Sequence, residues 1–433
     1  MTGDAGGQSF ARIAGLRALA NTAAAATALI TGPLLARALG VDGRGELAAV
    51  LAPLTLAIVL LSTASGEIMA ADIATRRRTV AEVFLPSLLI TAAFAAILMG
   101  VLVALAPVLL GEHPDAKTTL VALSLCLPLV ALQVTTRALR QGERRHRRVT
   151  REAWASAALR VVLIAGLFVA GGLTVESGAV AVIGGMILPG VLLGGRLPWR
   201  WHSAAAGFWE VVRQQLAKSL RSLPGSVASQ LNLRLDQVLL VALVNTRQLG
   251  LYVVAVSLAE IPVIGTSALR QVLLPEAADR RDQGMVARAS RLVVLVGAPL
   301  LLAGLVAAGP LLGLLFGSDF EAGERMAQIL LVGTWVGAPG GFLTTGLLIA
   351  GRPGAASVPA VAGLACTVVL MPLLSLEYGA IGAAWASLAA YTTSTVVAAL
   401  LFRRVTGIGM REAVVPTPGD VRALLARVRR SRG

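Results

Sequence analysis

The sequence predicts an all-α polytopic membrane protein with about twelve transmembrane helices in two lobes. Hydrophobic residues make up 56% of the 433-residue chain, charged residues make up 14%, and the mean hydropathy is +0.78. These values lie far outside the range of soluble globular proteins. Apolar stretches long enough to cross a bilayer recur along the whole length, and segments half a chain apart repeat one pattern.

Each predicted span is an apolar run of roughly 20 residues, bounded by short polar or glycine-rich connections. A helix of that length covers the hydrocarbon core of a bilayer, and it satisfies its own backbone hydrogen bonds. The predicted spans are 18–37, 47–70, 83–110, 119–136, 154–173, 178–195, 223–244, 249–270, 292–316, 326–350, 356–375 and 379–402.

The formal net charge of +15 predicts orientation rather than nucleic-acid binding. Arginine and lysine concentrate in alternate loops, as in 137–151 and 270–291, whereas the opposite loops are short and acidic. By the positive-inside rule both termini are cytoplasmic, and the chain is predicted to be a multi-pass protein of a bacterial inner membrane. A nucleic-acid groove needs basic residues interleaved with aromatic side chains on which bases can stack, and the sequence has no segment with that pattern.

The repeat joins an apolar helix, an Arg-x-Leu-Gly turn and a second apolar helix. It occurs at 34–40 with 46–52, and again at 243–250 with 252–259. The offset is about half the chain, which predicts two pseudo-symmetric six-helix lobes, and two such lobes in an apolar chain suggest a transporter with a central cavity. The predicted division is a first lobe at 1–195, a linker at 196–222, a second lobe at 223–402 and a basic cytoplasmic tail at 403–433.

The linker is predicted to be an amphipathic helix on the inner leaflet. Phe208, Val211, Val212, Leu216 and Leu220 recur at helical spacing, and basic residues occupy the other faces.

An enzyme would need a catalytic set, and the sequence offers none. The three histidines, His113, His146 and His202, all fall in loops, and none has a cysteine or carboxylate at metal-ligand spacing. Nucleophile elbows, phosphate-binding loops and dinucleotide fingerprints are also missing from the sequence. We therefore predict no catalytic residue, no metal site and no cofactor.

Ionisable residues inside spans are the better guide to function, because burying a charge in lipid costs at least a few kcal/mol. Arg234 and Asp236 fall near the middle of the seventh span, and Glu260 near the middle of the eighth. Two residues apart on a helix correspond to about 200° of rotation, so Arg234 and Asp236 point to opposite sides and cannot pair with each other. A functional or gating role and a structural salt bridge to another helix both remain open.

Five other residues extend this set. Arg160, a third of the way into the fifth span, either lines a cavity or reaches the inner headgroups. Arg17, Glu67 and Arg270 fall near the cytoplasmic ends of their spans, where they form snorkelling anchors or a cationic vestibule for an anionic head group. Asn21, one turn above Arg17, would add a polar contact there.

Several short motifs resemble those of the lipid-linked oligosaccharide flippases of the multidrug/oligosaccharidyl-lipid/polysaccharide exporter superfamily. They are Arg-Ala-Leu-Gly-Val-Asp-Gly-Arg-Gly-Glu-Leu at 37–47, Asn-Leu-Arg-Leu-Asp-Gln-Val-Leu-Leu at 232–240, Leu-Gly-Leu-Tyr at 249–252, Phe-Gly-Ser-Asp-Phe at 316–320 and Ala-Gly-Arg-Pro at 350–353. The resemblance implies that a polyprenyl-pyrophosphate-linked oligosaccharide is moved from the inner to the outer leaflet by alternating access. Membrane lipids and polysaccharide assembly proteins would be its partners.

The resemblance also implies roles for residues. Arg17, Arg234 and Arg270 would meet the pyrophosphate, and Asp236 and Glu260 would be proton or sodium sites. A drug/cation antiporter of the same superfamily is the alternative, although such proteins usually carry acidic residues deep in the first helix, where this chain has none.

Overall fold

The computed structural model describes residues 4–63, 65–111, 113–193, 207–280 and 282–420. Within its helices the side chains of 4–22, 24–25, 221–226, 229, 232–233, 264, 267–269, 271–276 and 278–280 are not described. The described residues form helices joined by short turns. They are α1 (Asp4–Thr63), α2 (Gly66–Ala74), α3 (Val80–Leu110), α4 (Pro114–Ser124), α5 (Leu127–Gly142), α6 (His146–Val169), α7 (Val175–Leu192), α8 (Phe208–Leu243), α9 (Thr246–Arg280), α10 (Gln283–Phe316), a 3₁₀ turn (Ser318–Gly323), α11 (Glu324–Ile349), α12 (Pro353–Thr406) and α13 (Met410–Val414).

The two longest helices each contain a sharp break at one glycine. In α1 the break is at Gly40 (φ 67°, ψ −173°), and in α12 it is at Gly379 (φ 61°, ψ −143°). Positive φ is strained for L side chains and open to glycine, so these glycines let the chain turn without a long loop. The breaks fall between the predicted spans 18–37 and 47–70, and between 356–375 and 379–402.

The chain is a multi-pass membrane protein built of helices, as the hydropathy predicts. Among the described residues, seven helical segments are long and apolar enough to cross a membrane, or up to eight if α4 and α5, bent by 44°, form one span. Each of the two broken stretches, Ala26–Ala74 and Pro353–Thr406, counts once in this total. The count of twelve spans therefore stays a prediction.

Large apolar side chains cover the outside of these helices. Val108 is 72% exposed, Val162 is 65%, Val306 is 83% and Leu314 is 70%. Exposing such an apolar surface to water is unfavourable, whereas contact with lipid tails carries no such free-energy cost. The small residues are on the inside, where they allow close helix packing, as at Ala383, Ala384 and Ala386 in α12.

The chain divides into two compact units, Met1–Gly250 and Leu251–Gly433. In the first unit, Met69, Val83, Phe84, Ala138 and Val211 form a buried cluster that joins α2, α3, α5 and α8. In the second unit α10, α11 and α12 pack around residues that include Val286, Leu343, Leu347 and Phe402. The predicted lobe division at 223 stays a prediction.

The second half of the predicted linker belongs to a longer helix. Residues 208–222 are the start of α8, which runs without interruption to Leu243, whereas 196–206 lie outside the described residues. Val211 and Gln215 are buried against the protein: Ser87 donates to Gln215 Oε1 at 3.0 Å, and Lys218 pairs with Asp72 at 3.1 Å. The exposed apolar residues of this segment are Trp209, Leu216 and Leu220, so they remain available to the membrane.

An ion pair holds the chain after α13 onto the second unit. Arg291 donates from Nε to Asp420 Oδ2 at 2.7 Å and from Nη2 to Oδ1 at 3.1 Å. Asp420 also accepts from the Thr417 backbone amide and hydroxyl. The bonds from Arg291 and Thr417 hold the pKa of Asp420 well below its usual range.

We expect Asp420→Asn to lower the unfolding free energy by about 1.5–3 kcal/mol at pH 7, the range for a hydrogen bond to a charged group. Because the folded-state pKa is depressed, the contribution is complete above the ordinary aspartate pKa of about 4 and is lost as pH falls below it. Thermal unfolding in detergent measures this. The gap in Tm between the wild type and Asp420→Asn should be constant from pH 7 to about pH 5 and narrow below pH 4; a pH-independent gap would contradict the ion pair.

Candidate functional site

The two repeated turns meet in the first unit through backbone atoms. A Cβ atom on Gly45 would overlap the carbonyl oxygen of Thr246, and one on Gly250 would overlap the carbonyl oxygen of Val41. A Cβ on Gly250 would also lie only 3.1 Å from the Gly45 amide nitrogen. Only glycine allows two backbones to come this close, so the Arg-x-Leu-Gly pattern of the second repeat serves a contact with the first. We call these four residues the turn junction.

Polar pairs flank the turn junction. Arg247 lies 3.9 Å from Asp42, and His113 lies 3.5 Å from Glu46. The Arg247 and Asp42 side chains are both more than half exposed, and such pairs contribute little stability. Close backbone packing, rather than charge, therefore holds the junction together.

The structure places Arg234 and Asp236 half-buried in α8, next to the buried Gln237. Each has an interaction partner, so neither is an isolated charge. The positions are two residues apart on one helix, the spacing from which we predict that the guanidinium and the carboxylate point to different faces. Their role in binding or gating stays a prediction.

Arg160 occupies a tight crossing between α6 and α7. A Cβ on Gly185 would lie 2.8 Å from both Cα and Cβ of Arg160, so glycine is what lets α7 cross here. The Arg160 side chain is half-buried, and its Nε atom is buried without a hydrogen bond to any residue that the structure describes. A buried, unsatisfied guanidinium nitrogen is costly and favours an anionic or water ligand.

In the second unit Arg270 of α9 lies against Gly341 of α11. Its Nη1 atom would be 2.8 Å from a Cβ on Gly341, so that glycine leaves room for the guanidinium. Arg270 and Glu260 are both exposed. In the same unit Pro262, Val263, Val293 and Trp335 are among the residues that line an apolar groove between α9, α10 and α11.

Of the remaining predicted residues, the structure describes the side chain of Glu67 and not those of Arg17 and Asn21. Glu67 is exposed in the first turn of α2. Arg17 and Asn21 belong to α1, but their side chains are outside the described part of the chain. The cationic vestibule that these residues would form stays a prediction.

A buried polar cluster in the first unit was missed by the sequence reasoning. Arg140 of α5 forms an ion pair with Glu152 of α6, and both residues are at least 97% buried. Gln133 donates to the Met186 carbonyl at 3.1 Å and lies 3.5 Å from Glu152. The sequence did carry a signal for a buried ion pair. Glu143 is an acidic residue within the basic run 137–151, and Glu152 directly follows that run.

A sequence profile decides the family. The profile of the polysaccharide biosynthesis protein family matches residues 34–323, about two thirds of the chain. The chain belongs to this family. It is therefore a protein of polysaccharide biosynthesis. No curated protein matches the sequence.

Solved structures share the all-helical membrane fold. The chain is similar to the lipid II flippase MurJ in an inward closed conformation, with a TM-score of 0.74, 13% identity and 89% of both chains covered. It is also similar to an inward-facing multidrug resistance MATE transporter (TM-score 0.65, 13% identity, 88% of this chain and 95% of that one). A MOP superfamily transporter from Pyrococcus furiosus gives a TM-score of 0.61 at 14% identity, covering 92% and 95%. At these identities the matches show the fold alone.

The buried Arg140–Glu152 pair should be structural. We expect Glu152→Gln to destabilise the protein by about 3–5 kcal/mol, because it leaves the Arg140 charge buried without its counter-ion. The double variant Arg140→Met/Glu152→Gln should recover part of that loss, since it removes the unpaired charge. Thermal unfolding in detergent measures both, and Glu143→Gln, at a partly exposed position, is the control. A double variant less stable than Glu152→Gln would contradict this account.

Proposed function

We propose that this membrane protein is a flippase that moves a polyprenyl-pyrophosphate-linked oligosaccharide from the inner to the outer leaflet. The observation that carries the proposal is the presence of arginines within predicted spans of a polysaccharide biosynthesis family member. Arginine stays charged at any physiological pH and matches phosphate oxygens bidentately. A chain retains such a residue at membrane depth only where a ligand, water or another charge compensates for the cost.

Arg234 is our first candidate for the pyrophosphate ligand, with Arg160, Arg270 and Arg17 as further cations and Asn21 as a polar contact. The half-buried position of Arg234 and the unsatisfied Nε of Arg160 support this choice. A flippase need not bind its cargo tightly. It needs to replace the water around the headgroup while the lipid tail stays in the bilayer.

Alternating access would use the turn junction as the closure on the outer side. By the distribution of basic loops, the repeated turns are on the side opposite the cytoplasm. Two backbones that touch through glycine form a dry contact, and Glu67, Asp236 and Glu260 would couple its opening to protons or sodium. The cell setting we propose is the bacterial inner membrane, with twelve spans in two lobes and both termini cytoplasmic.

A drug/cation antiporter is the second candidate. It is favoured by the likeness to MATE transporters and by Asp236, an acidic residue within a predicted span. In that case Asp236 or Glu260 would exchange the drug cation for protons or sodium, and the arginines would be structural. The two functions predict opposite consequences for the same pair of substitutions.

The deciding measurement is leaflet translocation of a fluorescent polyprenyl-pyrophosphate oligosaccharide in proteoliposomes. We expect Arg234→Ala to slow flipping by roughly tenfold or more, equivalent to about 1.4 kcal/mol, because the diphosphate loses its bidentate partner. Arg234→Lys should be intermediate, since it keeps the charge without the planar fork. Arg325→Ala, at an exposed position, is the matched control and should flip at the wild-type rate.

Full activity of Arg234→Ala together with loss of transport in Asp236→Asn would contradict the assignment of roles. The absence of flipping, with cation-driven efflux of a small drug instead, would place the chain among the antiporters.

We further expect Gly250→Ala to reduce flipping by at least roughly tenfold, because its Cβ overlaps the Val41 carbonyl and the turn junction cannot close. Gly100→Ala is the matched control, since a Cβ there meets no atom within 4 Å. Both proteins should fold, as judged by size-exclusion profile and Tm. Wild-type transport by a well-folded Gly250→Ala protein would show that the junction does not need to close.

A further inference from the structure

Helices α2 and α5 end in the same unusual way. The amide of Arg77 donates to the Asp72 carbonyl, and the amide of Arg145 donates to the Arg140 carbonyl, which is the six-residue closure of a Schellman motif. The residue before each donor has positive φ, 54° at Arg76 and 58° at Arg144. In this position glycine is the usual residue, because L side chains are strained there. Within the described part of the chain, these two arginines are the non-glycine residues with positive φ.

The two helix ends are neighbours. A Cβ on Gly142 would lie 3.0 Å from the Ala70 Cα, so α5 and α2 pack closely just before they end. Arg76 and Arg144 consequently line one open cavity of about 410 Å³, together with Ile73, Ala74 and Glu143. Two independent positions thus hold a strained arginine where glycine would fit, and both face the same space.

The charges around this cavity leave these two arginines available. Arg145 pairs with Glu143 at 3.3 Å, and Arg78 donates to Gln214 at 2.6 Å. Arg76 and Arg144 are exposed, and within the residues that the structure describes neither makes a side-chain hydrogen bond or ion pair. Their helix ends also point partial negative charge at the cavity, so the arginines are needed to make it attractive to an anion.

We propose that this cavity, which we call the arginine cleft, binds the phosphate of a lipid headgroup. The basic loops predict that it is on the cytoplasmic side, at the depth of the inner-leaflet headgroups. Two guanidinium groups on adjacent helix ends can donate hydrogen bonds to the oxygens of one phosphate from both sides. The phosphate comes either from an anionic phospholipid or from the diphosphate of a lipid-linked molecule. The proposal requires a membrane protein and is independent of what the chain transports.

The test titrates the purified full-length protein in detergent with phosphatidylglycerol, with phosphatidylcholine as the zwitterionic reference, and measures binding by native mass spectrometry. We expect R76G/R144G to weaken phosphatidylglycerol binding by roughly tenfold or more, the effect of one lost bidentate contact or larger. Glycine suits the positive φ, so this variant should keep or raise the Tm. R76N/R144N is a second variant that also tolerates positive φ and lacks the charge.

The matched control is R77A/R148A, which removes two exposed arginines, one just after α2 and one in the first turn of α6, that do not line the cleft. It should bind within about twofold of the wild type, since neither side chain lines the cleft and their charges act only through a screened field. Equal weakening in R77A/R148A, or wild-type binding in both cleft variants, would overturn the proposal.

Inorganic pyrophosphate added as a competitor distinguishes the sources. Displacement of phosphatidylglycerol by millimolar pyrophosphate means that the cleft recognises the phosphate itself, as a diphosphate-linked lipid would require. Persistence of phosphatidylglycerol against pyrophosphate means that the acyl chains contribute and the ligand is a membrane phospholipid. In R76G/R144G, phosphatidylglycerol binding should be weak both with and without pyrophosphate.

Discussion

The close approach of two glycines, Gly45 and Gly250, is the constraint on which the repeat depends. Each glycine places its backbone against the partner turn, and a single added carbon on either would overlap a carbonyl oxygen. The break at Gly40 turns the chain into the first of these segments, and the short connection from α8 to α9 presents the second. A contact made of backbone, flanked by exposed and weakly bound charges, can separate without uncovering a buried ion. This property suits a contact that opens and closes in a transport cycle.

The buried Arg140–Glu152 pair has the opposite property, because it resists separation. Separating two ions that are almost fully buried would cost several kcal/mol, so α5 and α6 are expected to move as one body. The bond from Gln133 to Met186 ties α7 to the same body, and the pair of Lys218 with Asp72 joins α8 to α2. The first unit therefore combines a rigid polar interior with an adaptable backbone contact at the turns, and these features occur on different helices.

Hydropathy predicted the membrane class and the location of the helices, because a bilayer imposes a fixed length of apolar chain on each crossing. It could not fix their number. Positive φ at Gly40 and Gly379 turns the chain from one predicted span into the next without a loop, and such angles leave no trace in composition. The amphipathic pattern after residue 207 correctly suggested a helix. The burial of Val211 and Gln215 against α3 nevertheless depends on tertiary contacts. The role of Glu152 was missed for the same reason, since its partner Arg140 falls in the segment 137–151, which the sequence predicts to be a basic loop.

The choice between flippase and antiporter depends on the sign of the charges in the spans. The solved relatives are 13–14% identical, so they establish the fold and leave the cargo open. Arg160, Arg234 and Arg270 raise the electrostatic potential wherever they face a cavity, which repels an organic cation and attracts a diphosphate. At an effective dielectric constant of 20, one unit charge 4 Å away contributes about 4 kcal/mol. The proposed flippase role therefore depends on the arginines, and the proposed antiporter role depends on Asp236 and Glu260. Substitutions of the two kinds of residue separate the two functions for this reason.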